Sequence, residues 1–193
     1  NVINSCDLGR EIQQSYYSGP THFRGGNWWS SAWPWNPIGS GDTHGNPADV
    51  LEITNNGKML YVRSIPRQWA LDDVPGDCVF ETWILPQRAA TNAVRVRCRL
   101  TNHRSDTTQY PAWLQELPAV YTIGDLHRLY TYGGGEPFSG GALSEIVGST
   151  APLWKTWNAG ENWSALVNDE GWGLGVFNPG CNSFCGGFVG MPA

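Results

Sequence analysis

The chain has 193 residues, enough for one domain with a substantial core and short for two. At 40% hydrophobic and 15% charged residues it is neither a disordered tail nor a highly charged surface binder. A formal net charge of −5 with only 12 Lys plus Arg argues against duplex nucleic acid or an anionic membrane as main partner, because both demand a concentrated basic footprint.

No stretch approaches the roughly 18 consecutive apolar residues of a membrane-spanning helix, so no membrane span is expected. The chain opens on Asn1 rather than Met, and Gly186 to Ala193 reads as the start of something. Both ends point to a processed chain or a fragment of a longer protein.

Glu11 to Tyr17 gives the first strand signal, a weak one. From Ser18 to Pro47 there is no strand or helix pattern, an unusual length of structureless chain inside a compact unit. Phe23, Trp28, Trp29, Trp33 and Trp35 lie in it and are costly to leave wholly exposed, which marks the loop as functional rather than disordered. Indole faces suit the C–H-rich faces of sugar rings, and the indole N–H is a directional donor. Asn27, Asn36, Asp42 and His44 supply polar groups beside them, the mixture found in small-molecule pockets. The competing reading is that these indoles plug one end of a sandwich. In Gly41-Asp42-Thr43-His44-Gly45 an aspartate is spaced to orient an imidazole.

Two hairpins follow. Val50 to Thr54 and Met59 to Arg63 flank Asn55-Asn56-Gly57, whose residues tolerate the positive φ of tight turns. Cys78 to Leu85 is rich in β-branched and aromatic residues, and Val94 to Leu100 alternates apolar positions with three arginines. Glu81 then opposes Arg97 or Arg99 across the ladder.

Gln115-Glu116-Leu117-Pro118-Ala119 comes after Tyr110, Pro111 and Trp113. A carboxylate at the mouth of a strand beside an indole is a candidate acid or base, the commoner fate being a structural ion pair. Ala119 to Ile123 and His127 to Tyr132 are further weak strands. Ala142 to Val147 is the one place where a turn or two of helix fits. The third hairpin pairs Trp163 to Val167 with Trp172 to Phe177, whose glycines leave room for a neighbouring ring or a bulge.

Five cysteines (Cys6, Cys78, Cys98, Cys181, Cys185) leave at least one thiol unpaired within the chain. Cys181 and Cys185 are close enough for a small disulfide ring, and their usage leans towards an oxidising compartment. No Cys/His spacing suggests a metal, and no nucleophile elbow, Walker loop or dinucleotide fingerprint is present, so neither metal nor cofactor is expected. The expected architecture is all-β, a twisted antiparallel β-sandwich with almost no helix. One domain, or a large fragment of one, spans residues 1–193, and the Trp-rich loop occupies about 18–47.

The runs Asp7 to Tyr17, Gln115 to Tyr121 and Glu161 to Val167 resemble segments of large secreted bacterial β-sandwich proteins. Those proteins are similar to the galactose-mutarotase-like supersandwich of carbohydrate-active enzymes. The resemblance implies a supersandwich-like fold, a secreted or extracellular protein, and a polysaccharide or oligosaccharide partner. In such enzymes a Glu base and a His acid work from one concave sheet. No matching motif places either residue here, so Glu116, His44 and Asp42 stand as catalytic candidates on their own chemistry. Trp28, Trp29, Trp33, Trp35 and Trp113 are the candidate substrate contacts. Three functions compete: a polysaccharide-processing enzyme such as a glycoside hydrolase, a non-catalytic carbohydrate-binding module, and a structural or assembly protein. The oligomeric state is open.

Overall fold

A computed structural model describes residues 3, 12–17, 19, 23–24, 32–33, 35–87, 89–90, 92–112, 115–147 and 154–187. Among them there is no helix, and every strand pairing is antiparallel, so the chain is all-β as its periodicity predicts. In chain order the strands are β1 (Ile12–Ser15), β2 (Phe23–Arg24), β3 (Ala32–Trp33), β4 (Pro37–Ile38), β5 (Asp49–Asn55), β6 (Leu60–Ile65), β7 (Arg67–Gln68) and β8 (Cys78–Pro86). There follow β9 (Val94–Asn102), β10 (Glu116–Val120), β11 (Arg128–Thr131), β12 (Ser144–Ile146), β13 (Trp154–Asn158), β14 (Trp163–Val167), β15 (Gly173–Phe177) and β16 (Ser183–Gly187). They fall into two compact units, Asp7–Val120 and Asn1–Cys6 with Tyr121–Ala193.

The Asp7–Val120 unit is built from two four-stranded sheets, β10-β1-β4-β7 and β5-β6-β8-β9, with β2 and β3 as a separate pair. The two sheets pack face to face, the arrangement of a β-sandwich. Gln14 on β1 donates to the Glu81 carbonyl (3.2 Å) and to the Thr82 hydroxyl on β8. The Tyr16 ring meets Phe80 edge-on at 5.1 Å. Phe80, Trp35 and Cys78 form the buried core, with Tyr16 and Leu100 packed against them. Both hairpins read from the sequence are present. Asn56 closes the first by accepting the Lys58 and Met59 N–H groups at 3.0 and 2.9 Å. In the second, Glu81 stands opposite Arg99.

On the other face of that sheet Glu81 accepts hydrogen bonds from the Arg99 guanidinium and from the Tyr61 hydroxyl (2.9 Å). The Arg99 contact, opposed by burial and aided by Tyr61, holds the Glu81 carboxyl below its ordinary 4.5. A depressed folded-state value means this stabilisation is complete above the ordinary value and is lost as pH falls through the lowered one. The melting temperature is therefore expected to fall on acidification below about pH 4.5, and Glu81→Gln should flatten that limb. Parallel Tm–pH profiles for the two proteins would refute the linkage.

In the second unit β12-β11-β14-β15 form a sheet whose inner face carries Leu129, Thr131 and Ser164. The two-stranded β13–β16 sheet covers it: Trp157 donates to the Ser164 hydroxyl (3.0 Å) and stacks on Phe184 at 6.2 Å. Residues 144–146, where a helical turn was expected, form a strand instead. The Arg128–Glu145 pair and the Leu129↔Ile146 register draw this short segment onto β11. Cys78, Cys98 and Cys181 are free thiols, and Cys181 donates to the Ser183 carbonyl rather than bridging to Cys185.

Candidate functional site

β1 carries the sequence Ile12-Gln13-Gln14-Ser15, and its last three residues are buried although all are polar. Buried polar groups persist only where hydrogen bonds satisfy them. Gln14 is satisfied by β8 on the core side. Gln13, Ser15 and, one step on, Tyr17 alternate to the opposite side. There Ser15 donates to the Asn36 amide oxygen (2.8 Å), and the Gln68 amide oxygen accepts the Asn36 backbone N–H (3.0 Å).

Glu116 joins this polar face because β10 is bulged. Gln13 pairs with Ala119 but Ser15 with Glu116, so β10 spends an extra residue around Leu117–Pro118. Without the bulge Glu116 would point the other way, and re-aiming a side chain is what bulges do. Its carboxylate accepts from the Gln13 amide (2.7 Å) and the Tyr17 hydroxyl (2.9 Å). The neighbouring Gln115 fixes the start of the strand. Its amide oxygen accepts the Tyr17 N–H at 2.6 Å and its amide nitrogen donates to the Tyr17 carbonyl at 3.1 Å. Glu116 is half-buried, and both of these partners are neutral donors. Glu81, Asp106 and Glu145, by contrast, are each held by an arginine.

Asp42 has a different employment. Its carboxylate accepts the backbone N–H of His44 and of Asn46 (both 2.9 Å), the Asn46 amide (2.8 Å) and the Asp73 N–H (2.8 Å). Burial would raise its pKa, but the hydrogen bonds from Asn46 and then from the Asp73 and His44 N–H groups outweigh it and lower the value. Gly41, at φ 138°, lets the loop close, since a Cβ there would lie 2.3 Å from the Asn46 carbonyl oxygen. His44 is exposed at the tip and meets Asp42 through its main chain, not its ring. This loop leaves from β4 on one side of β1, whereas Glu116 sits on β10 on the other. Asp42→Ala should cost about 1 kcal/mol by removing the acceptor that gathers the loop's N–H groups, read from urea unfolding. An unchanged midpoint would show the loop is held by other means.

Trp35 is 6% exposed, its indole N–H donates to Asp77 (2.6 Å), and one ring face carries the Arg104 guanidinium at 5.0 Å. Arg104 also lies over Tyr110 (4.8 Å) and pairs with Asp106, so it fills the space between the two rings. These residues, with Gln115, wall an open cleft of about 230 Å³. That is below the 300–1,000 Å³ of typical ligand pockets, and Trp35 packs against the Phe80 core and Arg104. Trp33 contributes backbone to the short β2–β3 ladder. Trp28, Trp29 and Trp113 lie outside the described residues.

Gln13 and Tyr17, the partners of Glu116, were not singled out by the sequence. The signal that points to them is three consecutive polar residues inside a strand, which is out of place in a core unless a network awaits them. Among the described residues no group of three or more His, Cys, Asp or Glu side chains is arranged to hold a metal ion. No protein-family model matches the chain, and neither a curated protein nor a solved structure matches it.

Proposed function

We propose that this chain is a carbohydrate-active protein, processing a polysaccharide with Glu116 as its acid/base carboxylate. The supporting observation is the setting of Glu116: half-buried and bound to the Tyr17 hydroxyl and the Gln13 amide rather than to a cation. A carboxylate so held keeps lone pairs for a substrate hydroxyl, and the adjoining Tyr17 O–H offers a second proton-bearing group on the same face. The wealth of tryptophan favours sugar as the substrate class. Incubating the protein with a polysaccharide panel and analysing products tests the reading. Release by the wild type and none by Glu116→Gln is the expected result.

A second reading, a non-catalytic carbohydrate-binding module, draws support from Asp42. Glycoside hydrolysis calls for two carboxylates flanking the scissile bond. Asp42 is committed to its own loop, and Glu81 to Arg99 and Tyr61. Binding of a glycan with no product from any member of the panel would favour the module.

A further inference from the structure

The outer face of the β12-β11-β14-β15 sheet displays aromatic rings instead of burying them. Trp163 and Phe177 are directly opposite each other and share that face. Phe177 is 61% exposed and Phe138, in the preceding loop, 80%. Phe138 is fixed there by hydrogen bonding. One Glu161 oxygen accepts the Phe138 N–H (2.7 Å) and the other the Trp163 indole N–H (2.8 Å), so a single carboxylate ties the loop ring to the strand ring. The Tyr132 hydroxyl secures the rest of the loop through the Glu136 carbonyl (2.8 Å) and the Ser139 hydroxyl (2.9 Å). Phe138 holds φ 58°, a conformation costly for an aromatic residue and maintained only by such bracing.

Beside the rings lies a low floor made by Ala165, Val167 and two glycines. Ala165 faces Gly175, and Val167 faces Gly173. The two glycines differ in kind. A Cβ at Gly173 would lie 2.0 Å from the Leu166 carbonyl oxygen, so packing demands glycine. At Gly175 a Cβ would meet only the Ala165 methyl at 3.7 Å and the Ser164 carbonyl at 3.9 Å, both ordinary contacts. Glycine in a strand interior weakens the strand, and it marks places where another molecule comes close. The fold does not ask for glycine at 175. Across this floor stand Tyr130, Arg128 and Glu145, joined by the Tyr130–Glu145 hydrogen bond (3.1 Å) and the Arg128–Glu145 pair (2.9 Å).

We propose that this face is a saccharide-binding platform, on which Trp163, Phe177 and Phe138 stack sugar rings and Gly175 admits the chain between them and Tyr130. Flat ring faces beside a rim of planar polar groups suit a ligand with C–H-rich faces and equatorial hydroxyls. A second protein is a poorer fit. None of the four rings, Tyr130 included, is fully exposed, so together they offer less than the roughly 800 Å² per partner of a stable interface. The inference rests on the carbohydrate reading above for its ligand class but concerns binding, not turnover.

Affinity gel electrophoresis of the full chain in gels containing β-glucan, xylan, mannan or galactan provides the test. At least one gel should retard the wild type, and Phe177→Ala and Gly175→Val should each raise Kd by roughly tenfold or more. Gly175→Val should melt no lower than wild type, because valine favours strands, so its defect would not be one of folding. Equal retardation of wild type, Phe177→Ala and Gly175→Val overturns the platform while leaving the carbohydrate reading standing. No retardation of the wild type in any gel overturns both. A wild-type dimer that Phe177→Ala dissolves makes the face a self-interface and likewise overturns the proposal.

Discussion

Replacing Phe80 with alanine is expected to destabilise the Asp7–Val120 unit by about 3–5 kcal/mol. Phe80 is 2% exposed and lies between the two sheets, with Tyr16 edge-on to its ring. The loss has two parts, the transfer of a phenyl group and the cavity left behind. The cavity should stay open. One wall is Gly39, which has no side chain to lean inward, and the others are strands locked in their ladders. A Cβ added at Gly39 would lie 3.2 Å from Phe80 Cδ2, a tight contact in the wild type and an unobstructed one once the ring is gone. Gly39→Ala should therefore destabilise the wild type yet restore part of the loss in Phe80→Ala. Urea midpoints for the four proteins of this double-mutant cycle measure the coupling directly. Strict additivity would mean that Gly39 does not line the Phe80 cavity.

The same local rules that make this core also decide how much of it can be read from the sequence. The β5–β6, β8–β9 and β14–β15 hairpins are legible because alternation and turn residues lie within one short window. Asn56 and Asn168 even perform the turn capping their types suggest. The β13–β16 pair is not legible, since Trp154 meets Gly187 across a gap that contains a whole hairpin, and each strand is short. For the same reason β4 escapes notice inside what reads as loop, and β7 in the stretch after the first hairpin. Two residues carry no periodicity, and only pairing with β1 and with each other makes them strands. The segment at 144–146 shows the converse, a pattern too brief to choose between helix and strand until a neighbour decides.

The site divides along similar lines. Glu116 is legible as a carboxylate at a strand's mouth, but its partners sit about a hundred residues earlier and reach it only through a bulge. Asp42 illustrates a competition that spacing cannot settle. Asp-Thr-His suggests a carboxylate steering an imidazole, yet the nearer donors are main-chain N–H groups, and aspartate in a turn takes those first. Trp35 reads as a ligand platform, and nothing near it in the chain reveals that Arg104, far along, stacks on its face.

Glu116→Gln is the change with the largest expected consequence for activity. Acid/base groups contribute about 10²–10⁴ to turnover, so product release should fall by about that factor. The fold should tolerate the exchange. Glutamine keeps the shape of glutamate, its oxygen still accepts from the Tyr17 hydroxyl, and rotating the Gln13 amide turns its oxygen towards the new N–H₂ group. The Ser40 hydroxyl that now contacts the Gln13 oxygen at 3.4 Å can accept from the turned amide nitrogen instead. Two hydrogen bonds to a carboxylate thus become two neutral ones, and stability should fall by no more than about 2 kcal/mol. A positioning role is distinguished from a chemical one by Glu116→Ala with added formate, a carboxylate small enough to enter the vacated space. Recovery of turnover with rising formate identifies the carboxylate as the reacting group. Turnover equal to wild type in Glu116→Gln would remove Glu116 from the chemistry and leave the binding-module reading in its place.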